Sequence, residues 1–424
     1  MAEPAARGPL LRPLRHRGFL LIWVGQAVSS LGNSMYAVTI AWEVYHQTGS
    51  SAAMGLVLAA AVAPQLILTL FGGALADRLS RRTVILVCDL AAALITGALT
   101  AATAGHGAST AVFAAAAFAL GVVSSFFGPA YSPIYVNVLP AEDQQAALAI
   151  RGATESITSI VGPALAGAVF AFGGAVAGFG FDAGSFVVSA VCTALVSIPA
   201  ERVEFSGTLL DDIKAGLRFV VGTGWLRTLA LVSLLANLVC VAPLYVLLPG
   251  VVKEAGAGSG LYGTAVAVQA VAMAVFSLVV GKYAHLVPRG VSVYLLAAVT
   301  GGGVALLGEG VGHSWLILPS MVLIGFGFAF NVVESLLLQE NTPATHLSRV
   351  YSVLIVTSYA LNPVGFAGAG VLARSIGFKA VLLGGGLLLV VGALSGGFAT
   401  RWSLPGSVGG AERDADAEPE GAAV

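Results

Sequence analysis

Three carboxylates lie within or beside long uncharged apolar stretches: Glu43, Asp89 and Asp182. On membrane-insertion scales an ionisable group deep in such a stretch costs roughly 2.5–3.5 kcal/mol, so each is a functional candidate by default. Asp182, in Gly178-Phe179-Gly180-Phe181-Asp182, has no Lys or Arg between Arg151 and Arg202 to pair with locally. A carboxyl without a fixed counter-cation can take up and release protons; a silent, hydrogen-bonded carboxyl near an interface is the alternative. Asp89 follows the basic residues Arg81 and Arg82 by about two helical turns. There an ion pair with an arginine such as Arg82 is favoured over proton carriage. Glu43 falls near a span end, where an interfacial role competes with a coupling one. Arg151 and Glu155 are spaced to pair on one helical face. Glu334 and Glu340 stand within possible reach of Arg349.

Uncharged polar groups recur at helical spacing along other apolar stretches. Gln26, Ser29, Asn33 and Tyr36 form one stripe, and Ser233, Asn237 and Tyr245 another. Gln269, Asn331, Tyr359 and Asn362 add hydrogen-bonding groups, while Phe126, Phe127, Phe326 and Phe330 could supply apolar walls. A largely apolar cavity with a few polar groups suits an amphiphilic small molecule. The same Asn and Gln could equally fasten helix to helix.

The elements that position these groups follow from where the charges fall. Of 424 residues, 57% are apolar and only 10% charged, and mean hydropathy is +0.92. A soluble domain carries about 25% charged residues, so an ordinary water-soluble globule is excluded. Net charge is −1, which leaves no basic field for nucleic acid. Uncharged runs cover 18–42, 44–76, 90–141, 156–181, 183–200, 228–252, 255–281, 290–308, 310–333, 350–373 and 380–400. A spanning helix needs roughly 17–25 residues, and the run 90–141 holds two, split near Gly105–Ser109. The fold expected is an all-α membrane protein of twelve spans, because helices satisfy their own backbone in lipid and no strand alternation is present. With the N-terminus inside, 17 Lys and Arg fall on the inner side and 3 on the outer, so both termini are expected in the cytoplasm.

The chain divides into a cytoplasmic segment 1–17, a six-helix bundle 18–198, a linker 199–224, a second bundle 225–400 and a polar tail 401–424. Leu209, Ile213, Leu217 and Val220, interleaved with Asp211, Asp212, Lys214 and Arg218, make the linker an amphipathic inner-face helix. The tail, rich in Gly, Ala and acids, reads as disordered. An internal repeat at an offset of about 200 residues relates Pro140 to Pro343, Gly162-Pro163 to Asn362-Pro363, Asn33 to Asn237, and Gly73 to Gly281. Parallel repeats of this kind place a site between two halves near the midplane.

Two motifs carry a family resemblance. Gly73-Ala74-Leu75-Ala76-Asp77-Arg78-Leu79-Ser80-Arg81-Arg82 resembles the loop signature of the major facilitator superfamily, with Ser80 where a Gly is usual. Asp77 could cap a neighbouring helix near Ser348–Tyr351, and Arg78, Arg81 and Arg82 could hold that gating contact or touch lipid headgroups. Gly162-Pro163-Ala164-Leu165-Ala166-Gly167 resembles the antiporter motif of the superfamily's drug exporters, with Thr158 and Ala166 replacing two glycines. Pro163 would kink its helix, and the small residues would allow close packing. Segments such as Trp42–Ser50, Ala215–Phe219 and Ser348–Val350 look like the macrolide-efflux and enterobactin-exporter branch.

The resemblance implies two pseudo-symmetric six-helix bundles and proton-driven export of small organic molecules across a bacterial inner membrane. No Lys or Arg occurs from Thr83 to Ile150, where many proton-coupled exporters carry an arginine, and Asn33 stands where relatives carry an acid. The expected partners are a small-molecule substrate, protons and the bilayer, with the protein a monomer. No H-E-x-x-H, G-x-S-x-G or P-loop pattern is present, so no enzyme is expected, and transport energy would come from a gradient. Cys88, Cys192 and Cys240, far apart in apolar runs, suggest neither a disulfide framework nor a metal site, and no cofactor is expected. The alternatives are an importer or uniporter on the same fold and, further off, a non-transporting receptor.

Overall fold

The computed structural model describes residues 11–76, 80–105, 108–131, 134, 138–196, 217–283, 289–342, 350, 353–354 and 357–400. Within them the long helices are α1 (Arg17–Thr48), α2 (Ser51–Ala76), α3 (Arg81–Gly105), α4 (Thr110–Tyr131) and α5 (Ala141–Ala194) in the first half. The second half contributes α6 (Gly224–Glu254), α7 (Ser259–Tyr283), α8 (Arg289–Glu309), α9 (Ser314–Asn341), α10 (Asn362–Ile376) and α11 (Phe378–Ala399). α6 contains a π turn at Asn237–Val241, and α9 is interrupted at Phe328 and Ala329. At about 1.5 Å per residue, the 54 residues of α5 exceed two bilayer thicknesses, and the chain breaks helical geometry at Gly174 (φ 62, ψ −163). α5 therefore supplies two crossings, 141–173 and 175–194, and the total is twelve. The helix continues through Pro163; among the described residues of α5 the non-helical backbone is at Gly174, not at the proline.

Each half uses the same packing scheme. α2 lies on α4 as α7 lies on α9; α3 lies on α4 and on α5 as α8 lies on α9 and α11. The last two crossings of each half are joined through one glycine of left-handed φ, Gly174 and its counterpart Gly377 (φ 87, ψ 158). Their separation matches the offset read from the sequence, and both backbones occupy a region open essentially only to glycine. The molecule is an all-α membrane protein of two pseudo-symmetric six-helix bundles.

The bundles meet through α5 against α7 and α2 against α10. Water cannot drive helices together in lipid, so small residues that permit close van der Waals contact do so. A Cβ on Gly263 would stand 2.6 Å from the Pro163 carbonyl oxygen and 3.0 Å from Gly167 Cα. At α2 and α10, a Cβ on Gly55 would run into the Phe366 carbonyl and one on Gly370 into that of Ser51, whose hydroxyl donates to the Gly370 carbonyl at 3.1 Å. Aromatic rings close the same end: Trp42 stacks on Tyr262 at 5.7 Å and meets Phe170 edge-on, and Tyr45 meets Phe378 at 6.2 Å. This sealed end carries the α1–α2, α6–α7 and α10–α11 connections. At the opposite end Arg12 pairs with Glu142 and Asp143 while His16 meets Asp143 at 2.9 Å, tying the chain's start to α5. Most of the proposed linker, 199–216, lies outside the described residues, as do 1–10 and 401–424; Leu217 is exposed and Val220 buried.

Candidate substrate cavity

Two chambers adjoin between the bundles. The first, of about 280 Å³, is bounded by Ser29, Asn33 and Tyr36 of α1, Gln65 of α2, Asp89 of α3 and Phe127 of α4, with Tyr245 and Tyr262 reaching over from the second bundle. The second, of about 290 Å³, is bounded by Ser233, Asn237 and Tyr245 of α6, Phe330 and Asn331 of α9, Tyr359, and Asn362 of α10. Tyr245 borders both and so forms the partition. Asn33 lies about 24 Å along α1 at helical rise, halfway along it, which puts the first chamber near the midplane. Away from the sealed end the halves part, and Asn33, Asn331 and Tyr359 are exposed. A larger hollow of about 420 Å³ between α6, α10 and α11 has only apolar and glycine lining and offers nothing to orient a ligand.

The acids are placed by a polar stripe on α5. Asp182, Ser185, Ser189 and Thr193 recur every three or four residues and are all buried. α1 meets this stripe with glycines spaced seven apart. A Cβ on Gly25 would stand 3.2 Å from Ser189 Cα, and one on Gly32 would stand 2.8 Å from Asp182 Oδ1. Asp182 is fully buried, and neither carboxylate oxygen has a hydrogen-bond partner among the described residues. It stands behind the cavity wall, at the α1–α5 contact, rather than on the wall itself. Nearby, Tyr36 packs on Phe179 at 5.7 Å and ends in a hydroxyl without a partner among the described residues.

Asp89 is 1% exposed and borders the first chamber. Its Oδ2 accepts from Ser189 Oγ at 2.8 Å, while Oδ1 has no partner among the described residues. The expected ion pair with Arg82 does not form. Arg82 instead donates to the carbonyls of Thr193 and Ala194 at the end of α5. Carbonyls at a helix's end carry the negative end of its dipole, so they hold the guanidinium; that of Thr193 also accepts from Val196 N at 3.3 Å. Glu43 is buried and accepts from Gln47 one turn on. Arg151 Nε meets Glu155 at 2.7 Å. Glu334 accepts from Ser233 Oγ at 3.4 Å; the Arg349 expected near it lies outside the described residues.

Of the polar groups expected in one cavity, the structure gathers Asn33, Tyr36 and Tyr245 around the first chamber and Asn237, Tyr245, Asn331, Tyr359 and Asn362 around the second. Gln26 and Gln269 border neither. Gln26 donates to Ser30 within α1, and the Gln269 backbone faces Gly325 where α7 packs on α9. Phe127 and Phe330 serve as walls, while Phe326 packs on Phe276 and Phe126 joins the core beneath α4. Tyr262 and Gln65 were not foreseen as lining; Gln65, as a lone amide in an apolar span, was open to the same reasoning as Gln26.

The motif glycines divide their work. Gly162 faces Ser34 and Leu31 of α1, and Gly167 faces Ser259, Gly260 and Gly263 across the bundle interface. In the loop motif, Gly73 falls in the last turns of α2, Arg81 and Arg82 open α3, and Asp77 and Arg78 lie outside the described residues.

The sequence pattern of the Major Facilitator Superfamily matches residues 22–366. The chain is 29% identical over 405 residues to the multidrug efflux pump Tap of Mycolicibacterium fortuitum, covering 89% of this chain and 92% of that one. It is 22% identical over 380 residues to macrolide efflux protein A of Streptococcus pyogenes, covering 88% and 93% respectively. The crystal structure of the nucleoside transporter NupG superposes with a TM-score of 0.76 over 91% of this chain and all of that one, at 14% identity, a likeness of fold alone. With that pattern running through both bundles and the cavity lying where they meet, the chain belongs to the Major Facilitator Superfamily and is a membrane transporter, not an enzyme.

Proposed function

We propose that the chain exports small amphiphilic organic molecules from a bacterial cell by proton antiport and alternating access. The observation that carries this reading is the pair of chambers at the bundle interface, the first largely apolar with a few polar groups and the second ringed by amides and hydroxyls beside aromatic rings, with the bundles sealed together at one end. With both termini cytoplasmic, as the Lys and Arg distribution favours, the sealed end is the outer one. The chambers then open to the inner side, from which an exporter loads. Relatives that are named efflux pumps support the direction. Asp182, buried and with neither carboxylate oxygen partnered among the described residues, is the group through which protons would couple, while Asp89 borders the chamber itself. Glu43, already engaged by Gln47, stands further from that role. The Gly73–Arg82 loop acts as an inner-face latch, the 199–224 segment links the bundles, and the working unit is a monomer.

The test is accumulation of fluorescent amphiphiles in a bacterial strain with and without the chain, repeated after the pH gradient is collapsed. Lower accumulation that disappears on collapse is expected. Raised accumulation would indicate an importer, and no difference across a broad compound panel would end the export reading.

A further inference from the structure

We propose that the ligand class is organic cations, with Asp89 as the fixed counter-charge; this rests on the reading of the chambers as the transport site. Asp89 borders the first chamber with one carboxylate oxygen held by Ser189 and the other without a partner among the described residues. Among the described residues no Lys, Arg or His lines that chamber. Among the described long helices every Lys and Arg stands within the first four or last three residues, Arg151 excepted, and Arg151 is held by Glu155. Arg82, the near candidate, is engaged by the carbonyls at the end of α5. Of the six His of the chain (16, 46, 106, 285, 313 and 346), His16, His46 and His313 stand at helix ends, and the other three lie outside the described residues.

The rest of the lining suits the same class. Four aromatic rings, Tyr36, Phe127, Tyr245 and Tyr262, border the first chamber, and aromatic rings attract cations through their quadrupole. A further acid, Glu334, stands behind Ser233 of the second chamber, accepting from its hydroxyl at 3.4 Å. An anion entering this space meets carboxylates without a compensating cation, whereas a cation gains a partner in a low-dielectric site, where unscreened Coulomb energy is large. Selection between ligands of equal size then comes from repulsion as much as from attraction.

Tetraphenylphosphonium and tetraphenylborate share shape and apolar surface and differ in sign, with triphenylphosphine oxide as a neutral control. Binding of each to the purified full-length protein in detergent is measured by equilibrium dialysis against protein-free micelles. The cation is expected to bind at least about tenfold more tightly than the anion. Asp89→Asn should remove most of that preference, while Asp89→Glu retains it. Equal or tighter binding of the anion overturns the proposal, as does a folded Asp89→Asn protein with undiminished cation preference. Should Asp89→Asn fail to fold, the comparison of the two ions on the unaltered protein decides alone. Proteoliposome flux separates the two levels of inference. Anion-selective flux keeps the transporter and discards the ligand class. Cation-selective binding without flux under an imposed pH gradient keeps the class and discards proton antiport.

Discussion

Replacing Gly263 by Ala loads strain onto one conformation only. In the sealed state the new Cβ would lie 2.6 Å from the Pro163 carbonyl oxygen and 3.0 and 3.2 Å from Gly167 Cα and N. The first distance is about 0.8 Å inside ordinary van der Waals contact, and all three neighbours are backbone, so no side chain can swing aside. Overpacking of this kind costs about 1–3 kcal/mol. Because the contact joins α5 to α7 across the bundles, the cost is removed when the outer end opens. The equilibrium should therefore move toward the outward-open state by roughly 5- to 150-fold. Spin labels on Phe172→Cys, at a position 94% exposed, and on Glu254→Cys, both at the sealed end, would report the gap by double electron–electron resonance. A second, longer distance population is expected in Gly263→Ala, with slowed export. An unchanged distance distribution in a folded variant would show that the sealed contact does not set the conformational balance.

Asp182→Asn should abolish uphill transport while sparing ligand binding, measured by flux and binding in parallel; full active transport by the variant removes Asp182 from the mechanism. Gly32→Ala pushes a methyl against Ser185 and Asp182 and should lower thermal stability by about 1–3 kcal/mol, with partial recovery in the Gly32→Ala/Ser185→Ala double variant. Ser189→Ala leaves Asp89 without its donor and should destabilise by about 1–3 kcal/mol, read from the melting of the detergent-solubilised protein. Lys379→Ala breaks an exposed pair with Glu309 and should change stability by no more than about 1 kcal/mol, a control for the buried contacts.

The crossings were legible because lipid tolerates few charges, so charges mark the ends. The division near Gly105–Ser109 falls where α3 ends and α4 begins. The turn at Gly174 was not read, because charge spacing put the boundary of the neighbouring runs at Asp182, while the chain reverses through one uncharged glycine. Helical periodicity identified the face carrying Asn33 and Tyr36 but cannot say which neighbour a face meets. Gln269 shows this: it borders neither chamber, and its backbone packs on α9. The Arg82–Asp89 pairing failed for a related reason. Sequence distance offered one acceptor, and the fold brought closer ones from the end of a helix more than a hundred residues away. The seven-residue spacing of Gly18, Gly25 and Gly32 was present in the sequence as a small-residue seam and predicts the close contact of α1 with α5.

The single-glycine reversals at Gly174 and Gly377 bear on how the polypeptide is made. A turn of one residue gives the two flanking segments no independent exit to the far side, so neither can be laid into the bilayer before the other. Each pair is expected to enter as a closed hairpin during synthesis. Reporter tags or glycosylation sequons inserted at these two points should block assembly, while the same insertions at the Gly49 or Gly256 connections, where helix ends are further apart along the chain, should be tolerated.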